Sequence, residues 1–406
     1  MAQAIGGEGL RPGGAATVAS TRPPSVWLVV MIGLCTFLDL YATQAFLPVL
    51  EQAFQASKVA VGMTVSAATL AVALSAPVVG VLAEKFGRKL LIVSGLLGLA
   101  LTTLLAATSP SLGALIGWRF GQGACTALLY VVTMTYVNEE WAGRGVGAAM
   151  SAFVTGNVVG GFLGRFLSGI ATALVGWHWA FVVLGGLNLV GALAAWLTLP
   201  AAPRTLHTNG ARSAIASHLR ELTSRPLLAA YLVGFNVLFT LVGTFTYVNF
   251  YLAEPPFRLG TLALGSIFAV YLFGSVVTPV AGRWIDRLGN RQMVAIALTV
   301  SALGTLLTLV PSLWTVIPGL MLSSSGVFVC QSASTSFVGR AAGTKKALAA
   351  GLYVSCYYFG GSVGGVLPGF LWGHGGWHAC VALFVAIQAL TVAIASRFWR
   401  LSPATP

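Results

Sequence analysis

Two stretches decide the reading: "GVLAEKFGRK", Gly80–Lys89, and "GRWIDRLGNR", Gly282–Arg291. Each has Gly at its first position, an acid at the fifth, Gly at the eighth and a base at the tenth, and the copies stand 202 residues apart. Around each copy the chain is almost wholly apolar. Of 406 residues 57% are hydrophobic and 8% charged, and mean hydropathy is +0.88. Soluble domains carry about 25% charged residues, so lipid must be the solvent for most of this chain.

Crossing a ~30 Å hydrocarbon core takes about 20 apolar residues as a helix, and unpaired backbone groups in lipid require helices. Twelve such runs are predicted: 26–48, 60–82, 90–108, 112–136, 146–170, 177–199, 227–252, 261–283, 292–310, 313–337, 346–371 and 377–396. With the amino terminus inside, eighteen of the 22 Lys and Arg residues fall in cytoplasmic segments. Lys58 and Arg258 are external, and Arg119 and Arg165 lie within spans. This asymmetry predicts a multi-pass membrane protein with both termini cytoplasmic. The formal charge of +13 is spread singly between apolar runs, which argues against nucleic acid as a partner.

The connections are short except for the basic stretch 200–226, whose ends carry Pro. The expected organisation is a cytoplasmic tail (1–24), a first six-helix bundle (25–199), a cytoplasmic linker (200–226), a second bundle (227–397) and a short tail (398–406). A surface helix at Ala211–Thr223 is expected in the linker. The two decapeptides occupy equivalent loops. Gly156, Gly160 and Gly161 in span five are matched by Gly360, Gly364 and Gly365 in span eleven, each 204 residues on. "GWHWAF" at Gly176 opens span six and "GWHACVALF" at Gly376 opens span twelve. Three matches in order predict a duplication, with the halves related by an axis along the membrane normal.

Over its whole length the chain resembles the major facilitator superfamily. The decapeptides are similar to that family's signature loop, with Glu84 where Asp is usual. "RFGQG" at Arg119–Gly123 resembles a second family motif. "GNVVGGFLG" at Gly156–Gly164 resembles the glycine-rich motif of proton-coupled exporters, with Asn157 in place of the usual Pro. The resemblance implies two pseudo-symmetric six-helix bundles in an all-α membrane protein. It also implies a place in the bacterial cytoplasmic (inner) membrane, alternating access in the manner of bacterial drug and metabolite efflux proteins, and a signature loop that latches the outward-facing state.

The latch residues are then Gly80, Glu84, Gly87, Arg88, Lys89, Gly282, Asp286, Gly289 and Arg291. Gly87 and Gly289 are expected to supply the turn angles, the acids to meet helix amino termini or neighbouring Arg, and the bases to meet headgroups. Gly156, Gly160 and Gly164 share one helix face. With Gly161, Gly360, Gly364 and Gly365 they are expected to form the close contacts along which the halves rock.

Ionisable groups inside spans point to function, and three are present: Asp39, Arg119 and Arg165. Asp39 lies about 20 Å in from Val26, and Arg119 about 10 Å below the outer edge. Those depths coincide, so a pair across the cavity is expected. Asp39 would be the proton carrier or cation-sensing acid and Arg119 would tune it, the competing role being a fixed structural ion pair. Arg165, near the outer end of its span, is expected to snorkel outward. Candidate cavity groups are Tyr41, Gln44, Asn157, Asn236, Tyr247, Asn249, Gln331, Tyr353 and Tyr357. Trp177 and Trp377 read as belt residues at the outer boundary.

No GxxxxGK[ST] loop, HExxH or catalytic carboxylate pair occurs, so neither an ATP-driven pump nor a membrane enzyme is expected. No cofactor or metal is expected, and the lone acid fits a ring-lined channel poorly. The expectation is a secondary transporter driving proton-coupled efflux of small organic compounds, uncharged or cationic and lipophilic. Proton-coupled uptake, or export of sugars or metabolites, is the alternative. The partners expected are the lipid bilayer, protons and a small-molecule substrate, with the protein acting as a monomer.

Overall fold

In a computed structural model of the protein, residues 25–142, 145–199, 224–343 and 346–399 are described, with the side chains of 80–85 and 346–347 excepted. These residues form helices joined by tight turns, with no strand among them. The first half of the chain gives α1 (Val26–Leu38), a short 3-10 helix (Ala42–Phe46), α2 (Leu47–Ala53), α3 (Lys58–Lys85), α4 (Arg88–Ala107), α5 (Leu112–Glu140), α6 (Val146–Val175) and α7 (Trp177–Thr198). The second half gives α8 (Arg225–Ala253), α9 (Thr261–Ile267), α10 (Val270–Leu288), α11 (Asn290–Leu307), α12 (Leu313–Ala341) and α13 (Lys346–Phe398).

The twelve expected spans all have helical counterparts, and two are interrupted. The first is broken into α1 and α2, which meet at 50°. The eighth is split into α9 and α10 at Phe268–Ala269. The last two spans run on as the 53-residue α13, with non-helical dihedrals at Gly375 and Gly376. Just beyond α13, Trp399 is buried and stacks on Phe337, with ring centroids 4.2 Å apart. The segments 1–24 and 200–223, with the expected surface helix at Ala211–Thr223, lie outside the described residues, as do 400–406.

Glycine lets the helices close on one another, and the glycine faces read in the sequence do so mainly within each half. A Cβ on Gly156, Gly160 or Gly164 of α6 would fall on the carbonyl oxygens of Val30, Leu34 and Leu38 of α1. In the second half Gly360 and Gly364 of α13 meet the carbonyls of Phe235 and Phe239 of α8 in the same manner. Thus the duplication read in the sequence recurs as a packing motif. It also corrects the expectation that these glycines form the rocking surface. Of that set only Gly365 faces the other half, against Gly62 and Ser66 of α3, while Gly161 lies beside Arg165 and Gly361 contacts Leu238.

The seam between the halves is made by α3 on α13 and by α6 on α9. Ser66 Oγ donates to Ser362 O at 2.6 Å, and Thr261 Oγ1 donates to Gly169 O at 3.0 Å. Gly62 faces Gly365 and Gly169 faces Thr261. At the same end Lys58 Nζ lies 2.8 Å from Glu51 and 3.2 Å from Glu254, so it ties α3 to the far end of α8. Trp177 packs on Phe54 and Phe181 of the first half, and Trp377 on Tyr251 and Phe384 of the second. Both are buried, and Trp377 Nε1 donates to Thr308 Oγ1 at 3.0 Å, so neither forms a lipid-facing belt.

Candidate functional site

A cavity of about 430 Å³ lies between the halves on the other side of that seam. Its wall follows α6 from Arg165 back through Gly161, Asn157 and Val154. It follows α10 from Tyr271 to Pro279, and α12 from Phe328 to Thr335. Exposure rises along this path, from the nearly enclosed Arg165 (3%) to Val154 (48%), and Thr335 is exposed. The cavity is therefore shut at the seam and open toward the ends of the helices that carry the signature loops.

Of the expected cavity groups, Tyr41, Gln44, Asn157, Gln331 and Tyr357 stand on this wall. The other four are engaged elsewhere. Asn236 donates to Thr391 Oγ1 at 2.9 Å, and Tyr247 Oη donates to Gly365 O at 3.0 Å. Asn249 donates to Phe245 O of its own helix at 2.7 Å. Tyr353 stacks on Tyr357 with ring centroids 6.1 Å apart and is itself off the wall. Residue type alone selected these groups, and only the rotation of each helix decides which of them reach the void.

The break in the first span builds a second polar site beside the cavity. Ending α1 at Leu38 leaves carbonyls without their usual helical partners, which is tolerated at membrane depth only where protein groups satisfy them. Arg119 of α5 does so. Its Nη1 donates to Asp39 O at 2.8 Å, its Nη2 to Leu40 O, and its Nε to Thr64 O of α3 at 2.9 Å. Gln122 Oε1 accepts from Nη1 at 2.5 Å, and Gln122 Nε2 donates to Thr103 Oγ1 at 2.8 Å. Asp39 and Arg119 therefore meet, as their depths suggested, but through the main chain of Asp39.

The Asp39 carboxylate turns the other way. Oδ2 accepts from Asn188 Nδ2 of α7, and Oδ1 has no hydrogen-bond partner among the described residues. Both Asp39 and Arg119 are fully buried and neither is on the cavity wall, so the expected pair across the cavity is corrected. The connection to the wall is Tyr41, two residues beyond Asp39, together with Gln44.

Arg165 departs furthest from expectation. Instead of snorkelling outward it is 3% exposed and lies on the cavity wall at the seam. Nε donates to Gln44 Oε1 at 2.9 Å and Nη1 to Gly161 O at 2.5 Å. The guanidinium carbon lies 4.7 Å from the Tyr41 ring centroid, 4.5 Å from Phe268 and 5.1 Å from Tyr271. Gln44 Nε2 continues to Thr246 Oγ1 in the second half at 3.0 Å. The cavity wall thus carries one guanidinium and no carboxylate among the described residues.

The signature loops are only partly described, since the side chain of Glu84 and the surroundings of Gly80 lie outside the described residues. Arg88 Nε and Nη2 clamp the Glu139 carboxylate of α5 at 3.1 and 2.8 Å. Lys89 Nζ donates to Leu199 O at 2.6 Å, which satisfies the end of α7 in place of a lipid headgroup. Gly289 has φ +81, a left-handed angle that favours glycine, whereas Gly87 has φ −63 and needs no glycine. Gly282 has open space around it, and Asp286 and Arg291 are exposed.

Three features escaped sequence reasoning. Asn188 is the fully buried partner of Asp39, and a lone Asn inside an apolar run was the signal for it. Glu139 is the partner of Arg88, with only its place at the end of a span to mark it. The Lys58 cluster was readable only as a single external base.

Long apolar helices around a central cavity, shut at one end and open at the other, make a polytopic membrane protein with the build of a transporter, and the family match that follows makes it a transporter and not an enzyme. The chain belongs to the Major Facilitator Superfamily, whose family model matches residues 29–278 and 257–406. It is 31% identical over 364 residues to the uncharacterized MFS-type transporter YybF of Bacillus subtilis (88% of this chain, 89% of the relative). It is 30% identical over 377 residues to the inner membrane transport protein YnfM of Escherichia coli (91% of this chain, 88% of the relative). Among solved structures it is similar to a mutant form of the nucleoside transporter NupG, at TM-score 0.79 and 14% identity, covering 92% of this chain and 100% of that one. A bacterial homologue of the lysosomal transporter Spinster, inward-facing and occupied, matches at TM-score 0.75 and 16% identity, with 93% and 98% covered. At these identities the structural likenesses speak for the fold.

Proposed function

We propose that this secondary transporter is proton-coupled and exports small organic compounds from the bacterial cytoplasm across the inner membrane, with Asp39 as the group that takes up and releases the proton. The burial of Asp39 at the break of the first span carries this reading. A carboxylate with one amide partner and an unpartnered oxygen, enclosed at membrane depth, is costly to keep charged. Its protonation state therefore bears directly on the packing of α1 against α5 and α7. Arg119 grips the main chain at the same break, and Tyr41 and Gln44, a few residues on, line the cavity. A change at Asp39 reaches the substrate site through two to five residues of chain.

With the basic loops in the cytoplasm, the seam lies at the outer face and the cavity opens inward. Loading from the inside suits export, and the glycine-rich run of α6 supports it by its resemblance to exporter motifs. The test is flux of a panel of small organic compounds in proteoliposomes under an imposed pH gradient. Wild type should drive transport with the gradient, and Asp39→Asn should retain exchange while losing gradient-driven accumulation. Unchanged accumulation in that variant would remove Asp39 from the coupling role.

A further inference from the structure

Arg165 is a buried guanidinium on the wall of the cavity, and among the described residues no carboxylate lies within 4 Å of it. Two of its nitrogens are anchored, Nε to Gln44 and Nη1 to Gly161 O, so the head is held in place. A guanidinium has five N–H donors in a planar fork, and these two bonds leave donors unused. Three rings of Tyr41, Phe268 and Tyr271 pack on its faces. Cation–π contacts of this kind offset only part of the cost of removing the charge from water. The arrangement is pre-organised for a ligand, because the charge is fixed and desolvated and no balancing anion stands beside it among the described residues.

Resting on the reading of this cavity as the transport site, we infer that the substrate is an organic monoanion, a carboxylate on an aromatic or similarly flat apolar body, and that Arg165 is its counter-charge. The fork matches a carboxylate in two-point geometry. The remaining wall supplies the body's environment through Phe37, Tyr130, Phe328, Tyr357 and Tyr358, with Asn157 and Gln331 as polar points. The volume of about 430 Å³ is at the low end of the range for small-molecule sites, which limits the body to one or two rings. A cation placed here would face the guanidinium in a medium of low dielectric and be repelled. Arg165 also sits at the seam, with Tyr41 from one half and Phe268 and Tyr271 from the other around it, so an anion bound to it touches the elements that must separate when the outer end opens.

The test uses the full-length protein in nanodiscs, with phenyl, naphthyl and indolyl compounds each supplied as the acetate, the acetamide and the ethylamine. Binding is measured by calorimetry without any proton gradient. For at least one ring system the acetate should bind about tenfold or more tightly than its amide and amine. Arg165→Gln should abolish that preference while amide affinity stays within about twofold, and Arg165→Lys should keep part of it. Amides or amines that equal the acetates in wild type, no acetate binding at all, or a preference that survives Arg165→Gln would each overturn the inference. Should Arg165→Gln fail to fold, Arg165→Lys decides alone, since the charge without the fork must weaken acetate binding. Acetate preference with no gradient-driven flux would sink the coupling proposal alone, and gradient-driven flux of amines would sink this inference alone.

Discussion

Arg119 donates to the main-chain carbonyl of Asp39, at 2.8 Å, while the carboxylate of the same residue is held by Asn188. Two functions that a simple ion pair would merge are thereby separated. Arg119 maintains the break of the first span, and Asp39 is free to change charge without losing its main-chain support.

This separation predicts unequal stability effects. Arg119→Ala removes the guanidinium from the carbonyls of Asp39, Leu40 and Thr64 and from Gln122 Oε1. Asp39 O keeps Ala42 N–H and Thr64 O its place in α3, so the loss falls on Leu40 O and Gln122 Oε1, at about 1–3 kcal/mol for each buried group left unsatisfied. A marked fall in melting temperature in detergent, with poor recovery of monodisperse protein, is expected. Asp39→Asn keeps the shape and can still accept from Asn188, so its melting temperature should stay close to wild type. Equal destabilisation by the two would show that the pair acts as one electrostatic unit.

The glycine ladder between α6 and α1 gives a steric prediction. A methyl at Gly164 would strike the carbonyl of Leu38, immediately before the break, and a methyl at Gly160 would strike that of Leu34. Backbone cannot yield as a side chain does, so Gly164→Ala should cost about 1–3 kcal/mol and displace the Asp39 region. Gly147 on the same helix has nothing within 4 Å of its added Cβ, so Gly147→Ala is the matched control. Thermal melts of the two variants check this, and equal stability would contradict the ladder.

At the closed end, Lys58 bridges Glu51 and Glu254 and lies 5.3 and 5.5 Å from the Phe250 and Trp372 ring centroids. Partly exposed pairs are worth at most about 1 kcal/mol, yet that suffices to change a two-state ratio by up to roughly fivefold. Lys58→Met should favour separation of this end. Spin labels at Gln52 and Leu262, with the native cysteines replaced, should report a larger share of long distances than in the parent. An unchanged distribution would show that the glycine and serine contacts of α3 with α13 hold the seam without Lys58.

Hydropathy and the thickness of a bilayer are one-dimensional constraints, so the number and order of the helices, the duplication and the family were legible in the chain itself. The same holds for the glycine face of α6 and for the depth at which Asp39 and Arg119 meet. What each polar group faces is a matter of rotation, since one residue turns a helix by about 100°, and a break resets the phase. The unwinding at Asp39–Tyr41 and the split at Phe268–Ala269 are such resets. They move Asp39 off the cavity wall, turn its carboxylate to Asn188, and close aromatic rings over Arg165. Sequence spacing carries no record of them, because the groups they meet are distant in the chain: the first break is held by partners 80 and 149 residues away, and Phe268 at the second packs on Arg165.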